Sequence, residues 1–285
     1  KNQREKTLNI LMLGTDQSVN GEGSERSDIM MLVSLKKDNP VVNLTSFMRD
    51  TIAQVPSTGN LEKLNANYAY EGSLGVIRAL NVNYDLNIRD YVKFDYEAIA
   101  ALVDAVGGVR VYVEPLVFED INKLAKKEKS LGAEPLEKHG WNTLDGRQAI
   151  LFSRTRYYTG GDTARVARQR EVLKEVVKKV QGSSPTKLYE IAKEVMPLVE
   201  SSYSLEDVFT LMDYFVQIRR GMTFSEATFP YQHGGYRYNG VWYEVSRDLE
   251  EDLIKLHNEI FDDKYYRPSD RAFEIIQEIE SIPFY

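Results

Sequence analysis

The chain has no cysteine, which excludes disulfides and thiol chemistry and leaves the redox compartment open. Histidine is nearly as scarce. His139, His233 and His257 lie far apart without metal-ligand spacing, so neither a zinc centre nor a Ser/His/Asp triad finds support. A glycine-rich phosphate loop of the Walker type is missing. No apolar run approaches the roughly 20 residues of a membrane helix, and no signal peptide opens the chain. The opening KNQREKT reads instead as the edge of a membrane-adjacent or cut segment. Basic charge is not in excess: the net charge is −7, which argues against a nucleic-acid binder held by counterion release, so any anion site must be local. Low-complexity tracts and internal repeats are absent too, so the 285 residues are expected to fold throughout as a single domain, 1–285.

What is present centres on Ile10 to Leu32. Apolar residues at 10–13 and 29–33 read as two short strands, and the Gly/Ser/Asn-rich run between them reads as a loop. Asp16 lies just past the first strand, and Arg26 and Asp28 just before the second, so pairing of the strands could bring two carboxylates and a guanidinium together. Two carboxylates about 4 Å apart repel by roughly 4 kcal/mol at an effective dielectric near 20. If they converge, a divalent cation, an arginine or a shared proton must compensate. Oxygen ligands without Cys or His favour a hard ion such as Mg²⁺. Taken alone, Asp16 and Asp28 are better explained as loop residues making Asx turns, the common fate of Asp beside Gly and Ser.

IMMLVSLKK (29–37) and VVNLTSFMRD (41–50) read as an antiparallel hairpin turning at Asp38-Asn39-Pro40, which places Arg49 and Asp50 at the same end as Arg26, Ser27 and Asp28. Thr51 to Val55 is expected to extend the sheet, and Lys63 is a further candidate cation before a helix broken at Gly72. A strand at 91–94, an amphipathic helix at 96–106 ended by Gly107-Gly108, and a strand at 109–113 follow. Residues 115–140 read as a solvated excursion with a short helix. A helix at 145–154 leads to a stretch carrying Arg154, Arg156, Arg165, Arg168 and Arg170. Gly160 to Thr163 starts the next helix, on which Arg165, Arg168 and Gln169 share one face. One explanation is a solvated helix face, worth a few tenths of a kcal/mol per ion pair. The alternative is an anion site, since arginine's planar fork suits phosphate oxygens. Neither Arg165 nor Arg168 has an acid at i±4, although Asp162 and Glu171 stand three residues away.

Beyond 181, helices open at Ser184-Pro185 and Ser204, the second with an apolar stripe from Leu205 to Val216 that reads as a core face. A hairpin around Asn239-Gly240 and helices at 248–261 and after Pro268 complete an α/β architecture with a mixed sheet. Tyrosine is abundant, with 18 residues, but core and interface positions account for it and none is assigned to a ligand.

At this point the chain resembles the LytR-CpsA-Psr family, whose members attach polymers such as teichoic acids and capsule to the bacterial cell wall. The matching pieces are LNILMLGTD, RSD at 26–28, RDT at 49–51, KLNANYAYEG from 63, VDAVGGVRVYV from 103, LDGRQAILFSRTR from 144 and GDTARVARQR from 161. They run in family order over about 8–180, with 181–285 as helical and hairpin completion. Two departures stand out: Met48 where the family commonly has Pro, and Glu25 where it often has Gly.

The resemblance implies a mixed central sheet with helices on both faces and an apolar pocket for a polyprenyl chain. It implies a membrane-anchored enzyme on the extracytoplasmic face, held by an N-terminal helix outside this chain. Its activity would be a phosphotransferase moving a glycopolymer from a polyprenyl-pyrophosphate carrier to a peptidoglycan sugar hydroxyl, with pyrophosphatase side activity. Mapped onto this sequence, Asp16 and Asp28 hold Mg²⁺ or Mn²⁺. Arg26, Arg49, Arg154, Arg156, Arg165 and Gln169 grip the pyrophosphate, joined by Lys63 and Arg168, and Asp162 orients the arginines. Asp28, Arg49, Asp50 and Arg156 are then the catalytic candidates, with Asp28 or Asp50 taking the acceptor's proton. Two competing readings use the same residues: a Mg²⁺-dependent lipid pyrophosphohydrolase, and a non-catalytic module that binds anionic lipid or polymer.

Overall fold

The computed structural model describes residues 6–15, 27–36, 39–155, 161–218 and 221–283, with the side chains of 161–163 and 217–218 outside that description. Contacts gather the chain expected as one domain into two compact units: Lys1–Lys93 with Ser201–Tyr203 and Gly221–Tyr285, and Phe94–Glu200 with Ser204–Arg220.

In the first unit, β1 (Thr7–Thr15), β2 (Ser27–Lys36) and β3 (Val41–Phe47) form an antiparallel meander. Leu11 pairs with Leu32 and Leu13 with Met30, and all four are buried in the unit's core. The β1/β2 register shifts between Gly14 and Thr15. Gly14 is dictated by close approach, because a Cβ there would lie 2.8 Å from Ile29 Cδ1 and 2.9 Å from its Cβ. β4 (Ile52–Gln54) and β5 (Leu61–Lys63) pair with each other as a separate ribbon. The expectation that Thr51–Val55 extends the main sheet is therefore corrected: Val55 N bonds back to Asn60 O at 2.8 Å, and the segment closes into its own hairpin. α1 (Asn67–Tyr84) is kinked at Gly72, where φ is 59°, and is followed by β6 (Asp90–Phe94). The Asn83 side chain clamps both the N–H (2.8 Å) and the carbonyl (2.9 Å) of Gln54, fixing the ribbon to this helix.

The second unit begins with α2 (Tyr96–Ala105), capped by Asp95 and ended by Gly107-Gly108 at positive φ, then β7 (Val109–Val113). α3 (Pro115–Lys127) is longer and better packed than the solvated excursion expected for 115–140, because Val117, Ile121 and Ala125 recur at i, i+4 and i+8 and are buried. The Glu/Lys-rich residues between them hide that stripe in the sequence. β8 (Gly140–Leu144) pairs antiparallel with β7, and α4 (Gly146–Arg154) follows with a capping box between Asp145 and Gln148. α5 (Gly161–Gly182) contributes Val172 and Val176 to this unit's core, and α6 (Pro185–Val195) is capped by Ser184. A short β9 (Glu200–Ser201) precedes α7 (Leu205–Ile218). The stripe on α7 was expected to be a core face, yet none of residues 205–216 is fully buried and Leu205 is exposed; Phe209 stacks instead on Tyr189 at 4.6 Å.

The chain then returns to the first unit with β10 (Thr223–Phe229), β11 (His233–Tyr238), β12 (Val241–Ser246), α8 (Leu249–Phe261) and α9 (Asp270–Glu280). β10 runs parallel to β3, so the six-stranded sheet, ordered β10-β3-β2-β1-β6-β9, is mixed as expected. Phe47, Tyr84 and Phe229 meet with centroids 4.7–5.8 Å apart, locking β3, α1 and β10 together behind the end of β3. Asn239 and Gly240 both take positive φ (49° and 78°), as a two-residue hairpin turn of this hand requires.

Candidate functional site

The turn that follows β3 is held by backbone hydrogen bonds on every side. The carbonyls of Met48, Arg49, Asp50 and Thr51 accept from the N–H groups of Thr51 (3.1 Å), Asn65 (3.1 Å), Glu244 (2.9 Å) and Leu64 (2.8 Å) respectively. Met48 N–H donates to Phe229 O at 3.0 Å. Proline could not make that last bond, so at Met48 the chain substitutes a hydrogen bond for the rigid ring common in the family it resembles. Arg49 and Asp50 are thereby carried on a backbone fixed by β10, β12 and the segment after β5.

Their side chains join a row of alternating charge. Arg49 Nη1 lies 2.6 Å from Asp28 Oδ1, Arg49 Nε 3.6 Å from Asp50 Oδ2, and Lys63 Nζ 2.8 Å from Asp50 Oδ1. All four are about one-fifth to one-quarter exposed, so the row is shielded from bulk water yet open to a ligand. The structure thus brings together Asp28, Arg49, Asp50 and Lys63, four of the residues singled out by sequence. Two of them are placed by local elements, Asp28 at the start of β2 and Lys63 at the end of β5.

The row divides its carboxylates by role. Asp50 has both oxygens held by cations, which makes it a positioning group for Arg49 and Lys63. Asp28 is engaged through Oδ1 alone among the described residues. A partly exposed carboxylate oxygen suits a hard ion such as Mg²⁺ or Mn²⁺. Among the described residues no group of three His, Cys, Asp or Glu side chains converges as a metal site. The second expected metal ligand, Asp16, lies outside the described residues, as do Arg26 and Arg156, and the side chain of Asp162 is likewise undescribed.

The second unit holds the remaining arginines. Arg165 and Arg168 are 3% and 8% exposed, and Gln169 is half-buried on the same helix face. Burying guanidinium groups this deeply on α5 is costly without fixed partners, which removes the solvated-face explanation. Arg168 Nη2 donates to the carbonyl of Thr155. Burial pushes its guanidinium below the ordinary value, partly offset by Glu114, Asp120 and Glu171. Arg168 therefore acts as a pin for the chain just before residue 156. Arg154, at the last turn of α4, pairs with Glu128 and lies 5.0 Å from the Tyr96 ring centroid. Glu128 follows directly on α3, whose full length the sequence concealed, so this partner was not anticipated. The backbone donors from Asn65 and Glu244 had no sequence signal either, since each spans a long separation to the 49–50 turn.

Comparison with known proteins was made on this geometry. The chain is 28% identical over 267 residues to the polyisoprenyl-teichoic acid–peptidoglycan teichoic acid transferase TagU of Oceanobacillus iheyensis, covering 89% of this chain and 75% of that protein. Its fold matches TagT bound to LIIa-WTA (TM-score 0.75, 23% identity, 93% and 94% of the two chains). It also matches the LytR-CPS2A-psr family protein YwtF (TagT) with bound octaprenyl pyrophosphate lipid (TM-score 0.69, 23% identity, 91% and 92%). A model described as the LytR_cpsA_psr family matches residues 1–258, and the chain belongs to that family.

Proposed function

We propose that the protein is a phosphotransferase that moves a glycopolymer, of the teichoic acid or capsule kind, from a polyprenyl-pyrophosphate carrier to a sugar hydroxyl of peptidoglycan. The observation that carries this reading is the Asp28–Arg49–Asp50–Lys63 row on its immobilised turn. Transfer of a phosphoryl group depends on positioning and on stabilising charge as it moves to the leaving phosphate. Arg49 and Lys63 supply two cations that could exchange a carboxylate for a phosphate oxygen, and Asp50 lies beside both. The acceptor's proton goes to Asp28 or Asp50, the two carboxylates of the row.

Mg²⁺ or Mn²⁺, held by Asp28 and Asp16, would neutralise phosphate charge and favour departure of the polyprenyl phosphate. Arg26, Arg154, Arg156, Arg165 and Gln169 complete the proposed pyrophosphate ligands, with Asp162 orienting the arginines and Arg168 holding the chain before Arg156. The attack is in line, by the acceptor hydroxyl on the phosphorus that carries the glycan. The prenyl chain occupies an apolar pocket, and the enzyme works at the extracytoplasmic face of the membrane, anchored by a helix outside this chain. The names of the TagU relative and of the lipid-bound YwtF structure support the choice of substrate.

The test uses a labelled polyprenyl-pyrophosphate glycopolymer and peptidoglycan sacculi. Label moving to sacculi, and only with a divalent cation, is the expected outcome. Release of free glycan phosphate at the same rate with or without sacculi would instead identify a pyrophosphohydrolase. Retention of intact lipid, with no phosphate chemistry, would identify a binding module.

A further inference from the structure

The β7/β8 ribbon of the second unit has two unlike faces. Val109, Val111, Val113 and Leu144 point inward and are fully buried. The outward face carries Arg110, Tyr112, Trp141 and Thr143, all exposed. Trp141 is 59% and Tyr112 49% exposed. The register sets Tyr112 opposite Trp141 and Arg110 opposite Thr143. The two rings meet edge-on, with centroids 5.6 Å apart at 78°, and Arg110 Cζ lies 5.0 Å from the Trp141 ring centroid. Cross-strand pairing alone accounts for β-formers on such a face, but it does not require leaving more than half of a tryptophan in water beside an arginine that has no acidic partner within ion-pair distance among the described residues.

We infer that the Arg110–Tyr112–Trp141 face of this ribbon is a binding platform for the peptidoglycan glycan strand. The inference rests on the proposed transferase reading for the choice of polymer and extends it to a surface that the reading does not use. The pyranose rings of such a strand present flat C–H faces that stack on aromatic rings, and Tyr and Trp offer large contact area at low entropic cost because they are stiff. The strand's peptide carboxylates complement Arg110, whose guanidinium is held over the Trp141 ring. A polyol-phosphate chain would match the arginine but has no ring faces for Trp141 and Tyr112, so the peptidoglycan strand fits both halves of the surface and a polyol-phosphate polymer only one.

The chain contains two tryptophans, Trp141 and Trp242, so Trp242→Phe isolates the emission of Trp141. Titrating that variant with muramidase-released disaccharide-peptide tetramers should give a saturable change in Trp141 emission. In co-sedimentation with sacculi stripped of teichoic acid, Trp141→Ala should weaken binding by at least roughly ten-fold, and Trp141→Tyr should restore part of it. Arg110→Gln should weaken it at low salt and converge with the parent protein at high salt. Unchanged emission, or sacculus binding indifferent to Trp141→Ala, would overturn the inference. So would a change of oligomeric state in Trp141→Ala, which would make the face a contact between copies. Transfer of label from the lipid pyrophosphate to sacculi is measured beside these. If the parent protein transfers none the transferase reading fails, whereas normal transfer with Trp141-independent sacculus binding sinks the platform alone.

Discussion

Removing Lys63 tests whether the charged row is a coupled unit. Lys63 Nζ lies 2.8 Å from Asp50 Oδ1, with both side chains about one-fifth exposed. Exposed pairs contribute about 0.2–1 kcal/mol, and breaking a fully buried one costs about 3–5 kcal/mol. At this exposure Lys63→Ala should cost about 1–2 kcal/mol, a fall in Tm of roughly 3–6 °C for a chain of this size. Asp50→Ala removes the partner of Lys63 and the longer of the two ion pairs of Arg49, so its cost should be at least as large. If the ion pair is the cause, the double variant should be less destabilised than the sum of the singles by about 1 kcal/mol, above the roughly 0.3–0.5 kcal/mol within which independent sites add. Urea denaturation of the four proteins at low and high salt measures this, and transfer to sacculi should fall by about 10²-fold in either single variant, because a loosened Arg49 loses its alignment. Additive effects at both salt concentrations would refute the idea that Asp50 organises the two cations.

Three further outcomes follow from the packing. Met48→Pro removes the N–H donated to Phe229 O; the lost bond costs about 1–3 kcal/mol against a gain of about 0.4–1 kcal/mol from a stiffer unfolded chain, so thermal denaturation should show a net loss of stability, and a gain would contradict the account of this turn. Gly14→Ala places a Cβ within 3 Å of Ile29 and should cost about 1–3 kcal/mol; Ile29→Val in the same chain should return little, because Ile29 Cβ remains in the way. Asp252 has a carboxyl raised from its ordinary value of 3.8, first by burial, with the Ser246 hydroxyl, the backbone N–H groups of Tyr231 and Gln232, and Lys255 opposing. The fold therefore binds the Asp252 proton more tightly than the unfolded chain does. That contribution to stability is complete below pH 3.8 and is lost as pH rises through the higher folded value. Asp252→Asn should flatten this decline in a series of denaturation curves across acid pH, and an unchanged slope would count against the burial effect.

Much of the fold was legible because its signals are local. Short apolar runs marked β1 to β3, Gly72 and Gly107-Gly108 marked a kink and a stop, and Asn239-Gly240 marked a hairpin. β10 was missed because TFSEATF has too few apolar residues to stand out, and its parallel partner β3 lies far away in the chain. α3 was underestimated because charged residues dominate the average while the buried stripe occupies only every fourth position. At the site, RSD and RDT were visible as charge at one end of a hairpin, and the Asp28–Arg49 contact follows from the register. The division between Asp28 and Asp50 was not legible, since it depends on Lys63 and on the donors from Asn65 and Glu244 that orient the turn. The buried state of Arg165 and Arg168 was also beyond the sequence, where a helix face rich in arginine reads equally as solvated.

The most direct measurement of the central claim compares transfer to sacculi with the thermal midpoint for Asp28→Ala and Arg156→Ala. Removing groups that stabilise charge only during reaction should lower transfer by about 10²–10³-fold or more, while the partly exposed Asp28–Arg49 pair, at about one-quarter and one-fifth exposure, limits the change in midpoint to a few degrees. Transfer retained in both variants would contradict the assignment of the site.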